Sequence, residues 1–346
     1  MQTELIKRLF EAGELSAGEL KELIENRDAE DFKLLSEYAR RRCEESYGDR
    51  VFTRGLIEIS SYCKNDCFYC GLRRSNKNAE RYRLSREEIL DCCENGYGLD
   101  FRTFVLQGGE DGYYTDELLC SLVSEIKEKY PDCAVTLSLG ERSRESFQRL
   151  FDAGADRYLL RHETADREHY GKLHPTEMSY DNRMRCLSDL RDIGYQVGCG
   201  FMVGSPYQTV DCLVADLKFI KEFQPQMVGI GPFIRHKDTP FAEYPDGTLE
   251  LTLFLLAVVR LLLPKVLLPA TTALGTISSA GREQGLMAGA NVVMPNLSPV
   301  KVRKKYSLYD NKICTGEEAA ECAGCLQRRV STVGRMLVCE RGDFGS

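Results

Sequence analysis

From Val51 onward the 346-residue chain alternates short apolar runs with amphipathic stretches, and this alternation limits the possible folds more than any other feature. The apolar runs fall at 55–60, 103–107, 134–139, 157–162, 197–203, 227–232, 266–272 and 291–294. Between them, 86–95, 116–129, 144–153, 180–193, 210–223, 249–263 and 282–288 carry apolar residues at helical spacing. Strands separated by helices pair in parallel, because parallel neighbours need a long crossover between them. Eight of them predict an α/β fold, a complete (β/α)8 TIM-type barrel. A doubly wound open sheet satisfies the same alternation. Helices at 4–12, 16–26 and 28–47, with Ser16 and Asp28 as caps and Gly13 and Gly48 as stops, make an N-terminal helical cap over 1–50. The barrel then spans 51–300, and 301–346 form a C-terminal extension.

Composition narrows the class. A chain 43% hydrophobic and 29% charged with net charge −7 is that of a globular domain, and its mild acidity argues against a nucleic-acid surface. The first residues, Met1 to Lys7, lack the apolar core of a signal peptide. The longest apolar run, Leu251 to Pro264, is interrupted by Arg260 and is too short to span a bilayer. The expectation is a cytoplasmic protein whose 15 cysteines stay reduced and serve as ligands or core residues, not disulfides.

The sharpest chemical signal follows the first apolar run. Cys63, Cys67 and Cys70 are spaced C-x3-C-x2-C in a loop, with Tyr69 directly before the last thiol. Soft thiolates at this spacing suit an iron–sulfur cluster. Three thiolates hold three irons of a cubane and leave the fourth open to a chelating amino and carboxylate group. A structural zinc ion wants four ligands. The next cysteines are Cys92 and Cys93, and His162, His169, His174 and His236 are all remote, so zinc or an unligated triplet is the blander alternative. A second group, Cys314, Cys322 and Cys325, is less specific: a second Fe–S cluster, a zinc site and plain thiols all fit its spacing.

Barrel chemistry gathers at the C-terminal ends of the strands. Gln107, Gly108, Gly109 and Glu110 follow the second run, and the third puts Thr136 and Ser138 on one face. In the fourth, Arg157, Leu159, Arg161 and Glu163 share one face, and Tyr158, Leu160 and His162 the other. The apolar-aromatic set suits the helix layer, which turns two arginines and a glutamate inward. An Arg–Glu pair satisfies one arginine, and the second needs an anion. This predicts a pocket for an anionic, carboxylate-bearing substrate. Loops at 204–209 and 229–232, then Thr271, Thr272 and Met294, bring small or polar residues to the same rim.

Taken together these strings resemble the HydE family of radical-SAM FeFe-hydrogenase maturases over nearly the whole chain. The resemblance is carried by Cys70-Gly71-Leu72-Arg73-Arg74, Arg81-Tyr82-Arg83, Thr136-Leu137-Ser138-Leu139-Gly140-Glu141, Arg161-His162-Glu163-Thr164, Gly229-Ile230-Gly231-Pro232, Pro269-Ala270-Thr271-Thr272-Ala273 and Met294-Pro295-Asn296. Methylornithine synthase and biotin synthase are similar families, and a radical mutase like the former or an enzyme like the latter is the alternative. Tyr207 departs from the pattern, standing where a glycine is common. The resemblance implies a 4Fe–4S cluster on Cys63, Cys67 and Cys70 and S-adenosylmethionine (SAM) against Tyr69, Gln107, Gly108, Gly109, Ser138, Glu163 and Arg183. It implies a substrate cavity lined by Thr136, Arg157, Arg161, Thr271, Thr272, Met294 and Tyr309. An optional second cluster, 2Fe–2S or 4Fe–4S, would sit on Cys314, Cys322 and Cys325. The implied substrate is the iron carbonyl/cyanide product of HydG, with HydF as scaffold and a ferredoxin or flavodoxin as electron donor.

Overall fold

The computed structural model of the chain describes residues 2–316 and 319–345, with 319–323 as backbone alone. Six parallel strands run side by side: β2 (Gly55–Ser60), β3 (Thr103–Gly108), β4 (Ala134–Ser138), β5 (Arg157–Leu159), β6 (Gln196–Cys199) and β8 (Met227–Val228). Parallel bridges from Met227 to Leu267, from Pro269 to Val292 in β10 (Val292–Val293), and from Asn296 to Leu56 complete the circle. The barrel is closed, and the open sheet is excluded. Two expected strands are each split, so that β7 (Met202–Val203) and β9 (Gly231–Pro232) pair separately above β6 and β8. A strand not foreseen, β1 (Arg50–Thr53), joins β10 to β11 (Met336–Val338) below the barrel.

The outer layer is α4 (Arg86–Gly98), α5 (Asp116–Lys129), α6 (Arg144–Asp152), α8 (Tyr180–Ile193), α9 (Val210–Phe223), α10 (Leu249–Leu262) and α12 (Gly281–Met287). Six of these begin at a Ser or Thr whose hydroxyl accepts the backbone N–H three residues on: Ser85, Thr115, Ser143, Ser179, Thr209 and Thr248. Short α7 (Arg167–Leu173), α11 (Thr272–Ile277) and α13 (Val300–Arg303) lie in the loops, and α14 (Ala319–Thr332) precedes β11. The N-terminal helices α1 (Thr3–Ala12), α2 (Ala17–Glu25) and α3 (Ala29–Tyr47) start and stop at the expected Ser16, Asp28, Gly13 and Gly48. They pack on the barrel's flank against α9 and α10, not over an end. This explains the long apolar run. Thr252 to Leu262 are all buried because α10 is covered on one side by the barrel and on the other by α3. Among the described residues no helix is long and apolar enough to cross a membrane.

The C-terminal extension plugs the lower end, and this corrects the expectation for Arg157. Its side chain does point inward, but it lies in the bottom layer and not in the cavity above. There it is fully buried and donates to Thr103 Oγ1 (3.0 Å), the Arg341 carbonyl (2.8 Å) and Asp343 Oδ1 (2.6 Å). The counter-charge assigned to a substrate comes from the chain's own tail. Thr136 pairs in register with Arg157 and is equally buried, so it too is below the cavity. Arg54 shares this layer, its guanidinium 2.8 Å from Met227 Sδ.

Burial alone would raise the Asp343 carboxyl, but the hydrogen bond and charge of Arg157 hold it at about 2. Removing the carboxylate strands Arg157, so Asp343→Ala should cost about 2–3 kcal/mol, below the range for fully enclosed pairs because Asp343 keeps some solvent contact. A depressed carboxyl gives stability that is present above its unfolded-state pKa of about 4 and lost as pH falls through the folded value. The gap in melting temperature between wild type and Asp343→Ala should therefore be open at pH 6 and shrink as pH falls from about 4 toward 2. A gap that is absent, or constant with pH, contradicts this pairing.

Candidate functional site

The loop after β2 is held on all sides. Lys64 N–H donates to the Glu110 carbonyl (2.9 Å), Phe68 N–H to Leu173 (3.0 Å) and Gly71 N–H to Leu308 (2.8 Å). Within it, Arg81 donates to the carbonyls of Ser61, Leu72 (2.9 Å), Arg73 (2.7 Å) and Asn76 (3.2 Å), fastening both ends of the loop to one guanidinium. Asp66 binds Arg73 and Ser75. His174 Nδ1–H donates to the Tyr170 carbonyl (3.0 Å), and burial pushes the imidazole down to about 3, so the ring is neutral and Nε2 accepts from the Tyr69 hydroxyl (3.2 Å). Cys67 Sγ lies 3.7 Å from Met178 Sδ.

Cys63, Cys67 and Cys70 all line one cavity of about 410 Å³ that runs down into the barrel. Burial pushes all three thiols above their ordinary value, Cys70 to about 12, and for Cys67 and Cys70 a neighbouring thiol adds to the effect. Three thiolates together at this site need a cation to hold them. A tetrahedral zinc ion with bonds of about 2.3 Å gathers its thiolates within about 4 Å of one another. Among the described residues no group of three His, Cys, Asp or Glu side chains is arranged to hold a single metal ion. The donor set fits a cluster, whose thiolates each bind a separate iron.

Around the thiols stand Tyr69, Gln107, Gly108, Gly109, Ser138, Glu163 and Arg183, every one a lining residue of the cavity. Gly109 is there because nothing else fits: a Cβ would lie 2.2 Å from the Tyr62 carbonyl oxygen and 2.7 Å from Cys63 Cβ. Arg183 on α8 is fixed by Glu141 Oε1 (2.6 Å) and the Arg161 carbonyl (2.6 Å). Arg161 reaches Glu163 at 3.2 Å and keeps 39% of its side chain exposed. Of the two inward arginines, this one serves the cavity.

Farther in, Thr271, Thr272, Met294 and Tyr309 line the wall as expected. The Thr271 hydroxyl also caps α11, accepting Leu274 N–H. Between them sits a charge pair that goes unsuspected from the sequence. Glu58 of β2, 1% exposed, accepts from Lys312 Nζ and from Asn296 Nδ2 (2.9 Å). Its signal was the same alternation, since Leu56, Glu58 and Ser60 share a face and a lone glutamate in an apolar strand needs a partner. Cys314 lines the same cavity and accepts from Arg282 Nη2 at 2.8 Å, whereas Cys325 is exposed and the side chain of Cys322 lies outside the described residues. Tyr207 takes φ +65°, the left-handed region, which a glycine would adopt without strain.

The comparisons agree with this geometry. The Radical SAM superfamily model matches residues 57–220. The FeFe hydrogenase maturase subunit HydE of Thermotoga maritima is 48% identical over 304 residues, 88% of this chain and 85% of that protein. The chain belongs to the HydE family. It is a radical-SAM enzyme, and membership implies a 4Fe–4S cluster and SAM as cofactors. The 3-methylornithine synthase of Methanosarcina barkeri is 29% identical over 97% of this chain and 94% of its own length. A crystal structure of methylornithine synthase superposes with TM-score 0.83 at 27% identity, covering 96% of this chain and 97% of that one. The maturase HydG shares the fold, with TM-score 0.80 at 20% identity over 97% of this chain and 76% of its own.

A Gly109→Ala variant should shift the cysteine loop and lower iron bound after anaerobic reconstitution by several-fold. Gly112→Ala, where a Cβ meets nothing within 4 Å, should load normally. Equal iron content in the two variants would contradict the close approach of Gly109 to the loop.

Proposed function

We propose that this HydE-family chain holds a 4Fe–4S cluster on Cys63, Cys67 and Cys70 and works in the maturation of FeFe hydrogenase. Its substrate is a cysteine-bound iron carbonyl/cyanide complex of the kind HydG delivers. HydF is the scaffold that receives the product, a ferredoxin or flavodoxin is the electron donor, and the cytoplasm is the location. The observation that carries the reading is the continuity of one cavity from the three thiols, past Arg161 and Glu163, to Lys312, Thr271 and Tyr309.

Cluster and SAM supply, when bound, reductive cleavage of the sulfonium to a 5′-deoxyadenosyl radical. The chain's own residues do the rest. Gly108 and Gly109 would open the backbone to the amino-acid end of SAM, and Glu163 would accept from its ammonium. Ser138 and Arg183 flank it, and Tyr69, braced by His174, keeps the cysteine loop against the cavity. Arg161 offers its guanidinium to the substrate carboxylate, and burial of the deep cavity excludes water from the radical. Thr271, Thr272, Met294 and Tyr309 bound the substrate, with the Glu58–Lys312 pair beside them. Cys314, Cys322 and Cys325 are the residues for a second, accessory cluster.

Reconstituted protein with SAM and a reductant should release 5′-deoxyadenosine, and Cys67→Ser should abolish it along with the cluster. Arg161→Met should weaken the iron complex about tenfold, the worth of one partly exposed charge-assisted hydrogen bond, with basal SAM cleavage kept. Turnover of lysine in place of the iron complex would point to a methylornithine-synthase-like mutase instead. SAM cleavage by a Cys63/Cys67/Cys70 triple variant would contradict the cluster assignment.

A further inference from the structure

Glu163 faces the cavity from a backbone conformation that its residue type avoids. Its φ is +66°, a left-handed value that non-glycine side chains hold only where the surroundings enforce it. Part of the enforcement comes from the next strand. Glu163 N–H donates to the Gly200 carbonyl at 3.0 Å, and its own carbonyl accepts Met202 N–H at 3.4 Å.

The rest comes from behind, out of reach of the cavity. Gly200 N–H donates to His162 Nδ1 at 3.2 Å, so the imidazole proton is on Nε2, which donates to Asp216 Oδ1 at 3.1 Å. The same Oδ1 accepts Ala165 N–H at 2.5 Å. One oxygen from α9 thus grips the chain on both sides of Glu163, through the ring before it and the amide after it. His162 and Asp216 are both fully buried, and the ring of Phe219 packs on His162 with centroids 4.7 Å apart. Among the described residues Asp216 Oδ2 has no hydrogen-bond partner. A leucine would fill this space at lower cost than a buried carboxyl with one oxygen idle, so packing does not account for the residue.

We propose that Asp216 and His162 are positioning residues that clamp the left-handed turn at Glu163 and thereby set the cavity's affinity for the amino-acid end of SAM. The consequence for SAM rests on the assignment of Glu163 made above, whereas the clamp itself does not. Burial pushes the Asp216 carboxyl well up and the His162 imidazole down to about 3. What the clamp uses is an acceptor oxygen, which the carboxyl offers in either protonation state, and not a charge. Asparagine can supply that oxygen and leucine cannot.

The test compares Asp216→Asn, Asp216→Leu, His162→Phe and Glu163→Gln. SAM affinity is measured by equilibrium dialysis on the cluster-loaded protein, and amide deuterium exchange over 161–166 together with iron content on the same samples. Asp216→Leu and His162→Phe should weaken SAM about tenfold and speed exchange, with iron content unchanged. Asp216→Asn should stay within about threefold of wild type on both readouts. His162→Phe carries the comparison if Asp216→Leu does not fold. Wild-type exchange in the Leu and Phe variants overturns the clamp, as does an Asn variant as damaged as the Leu variant. Should Glu163→Gln leave SAM affinity untouched while the Leu and Phe variants still lose protection, the clamp stands and the assignment of Glu163 to SAM falls.

Discussion

Arg157 and Arg161 lie on one face of one strand line, four residues and about 13 Å apart, and depth inside the barrel separates their fates. A closed parallel barrel turns every second residue inward, and below the cavity this barrel fills with side chains in a packed layer instead of leaving a pore. An inward charge at the bottom is therefore sealed from water and must be answered by the protein itself. An inward charge at the top faces the space where a ligand enters. That constraint orders the molecule from plug to cavity to cysteine loop.

The chain meets the constraint with its own C-terminus. Past Pro299 it returns over the top of the barrel, where Leu308 accepts Gly71 N–H of the cysteine loop and Lys312 pairs with Glu58 inside the cavity. It then crosses to the lower end, where β11 pairs with β1 and Asp343 answers Arg157. Residues 301–346 thus contribute to both ends of the barrel, though no strand of the barrel itself falls among the described ones.

Much of this was legible in the sequence. The eight apolar runs gave the strand–helix alternation, with closure decided only by the bridges of the structure, and the parity of 157–163 correctly sent Arg157, Arg161 and Glu163 inward, with Tyr158 against Phe147 and His162 against Phe219 in the helix layer. The thiols and the residues around them were reached because their strings are local. What was not legible is pairing across long separations. Asp343 lies 186 residues from Arg157, and Lys312 lies 254 from Glu58, so neither partner can be guessed from a neighbouring run. The assignment of Arg157 to an external anion failed for this reason: alternation gives direction, but not depth or partner. The N-terminal helices were found with their caps, yet their place on the flank depended on α10 offering a second apolar face.

The central claim is that one cavity receives cluster, SAM and substrate in that order from rim to floor. An anaerobic crystal structure of the reconstituted protein with SAM tests it most directly. The expected density is a cubane on Cys63, Cys67 and Cys70, the SAM ammonium between Gly109 and Glu163, and empty space below it reaching toward Lys312 and Tyr309. SAM density elsewhere on the protein, or filling the chamber down to Lys312 and leaving no room for a substrate, would contradict it.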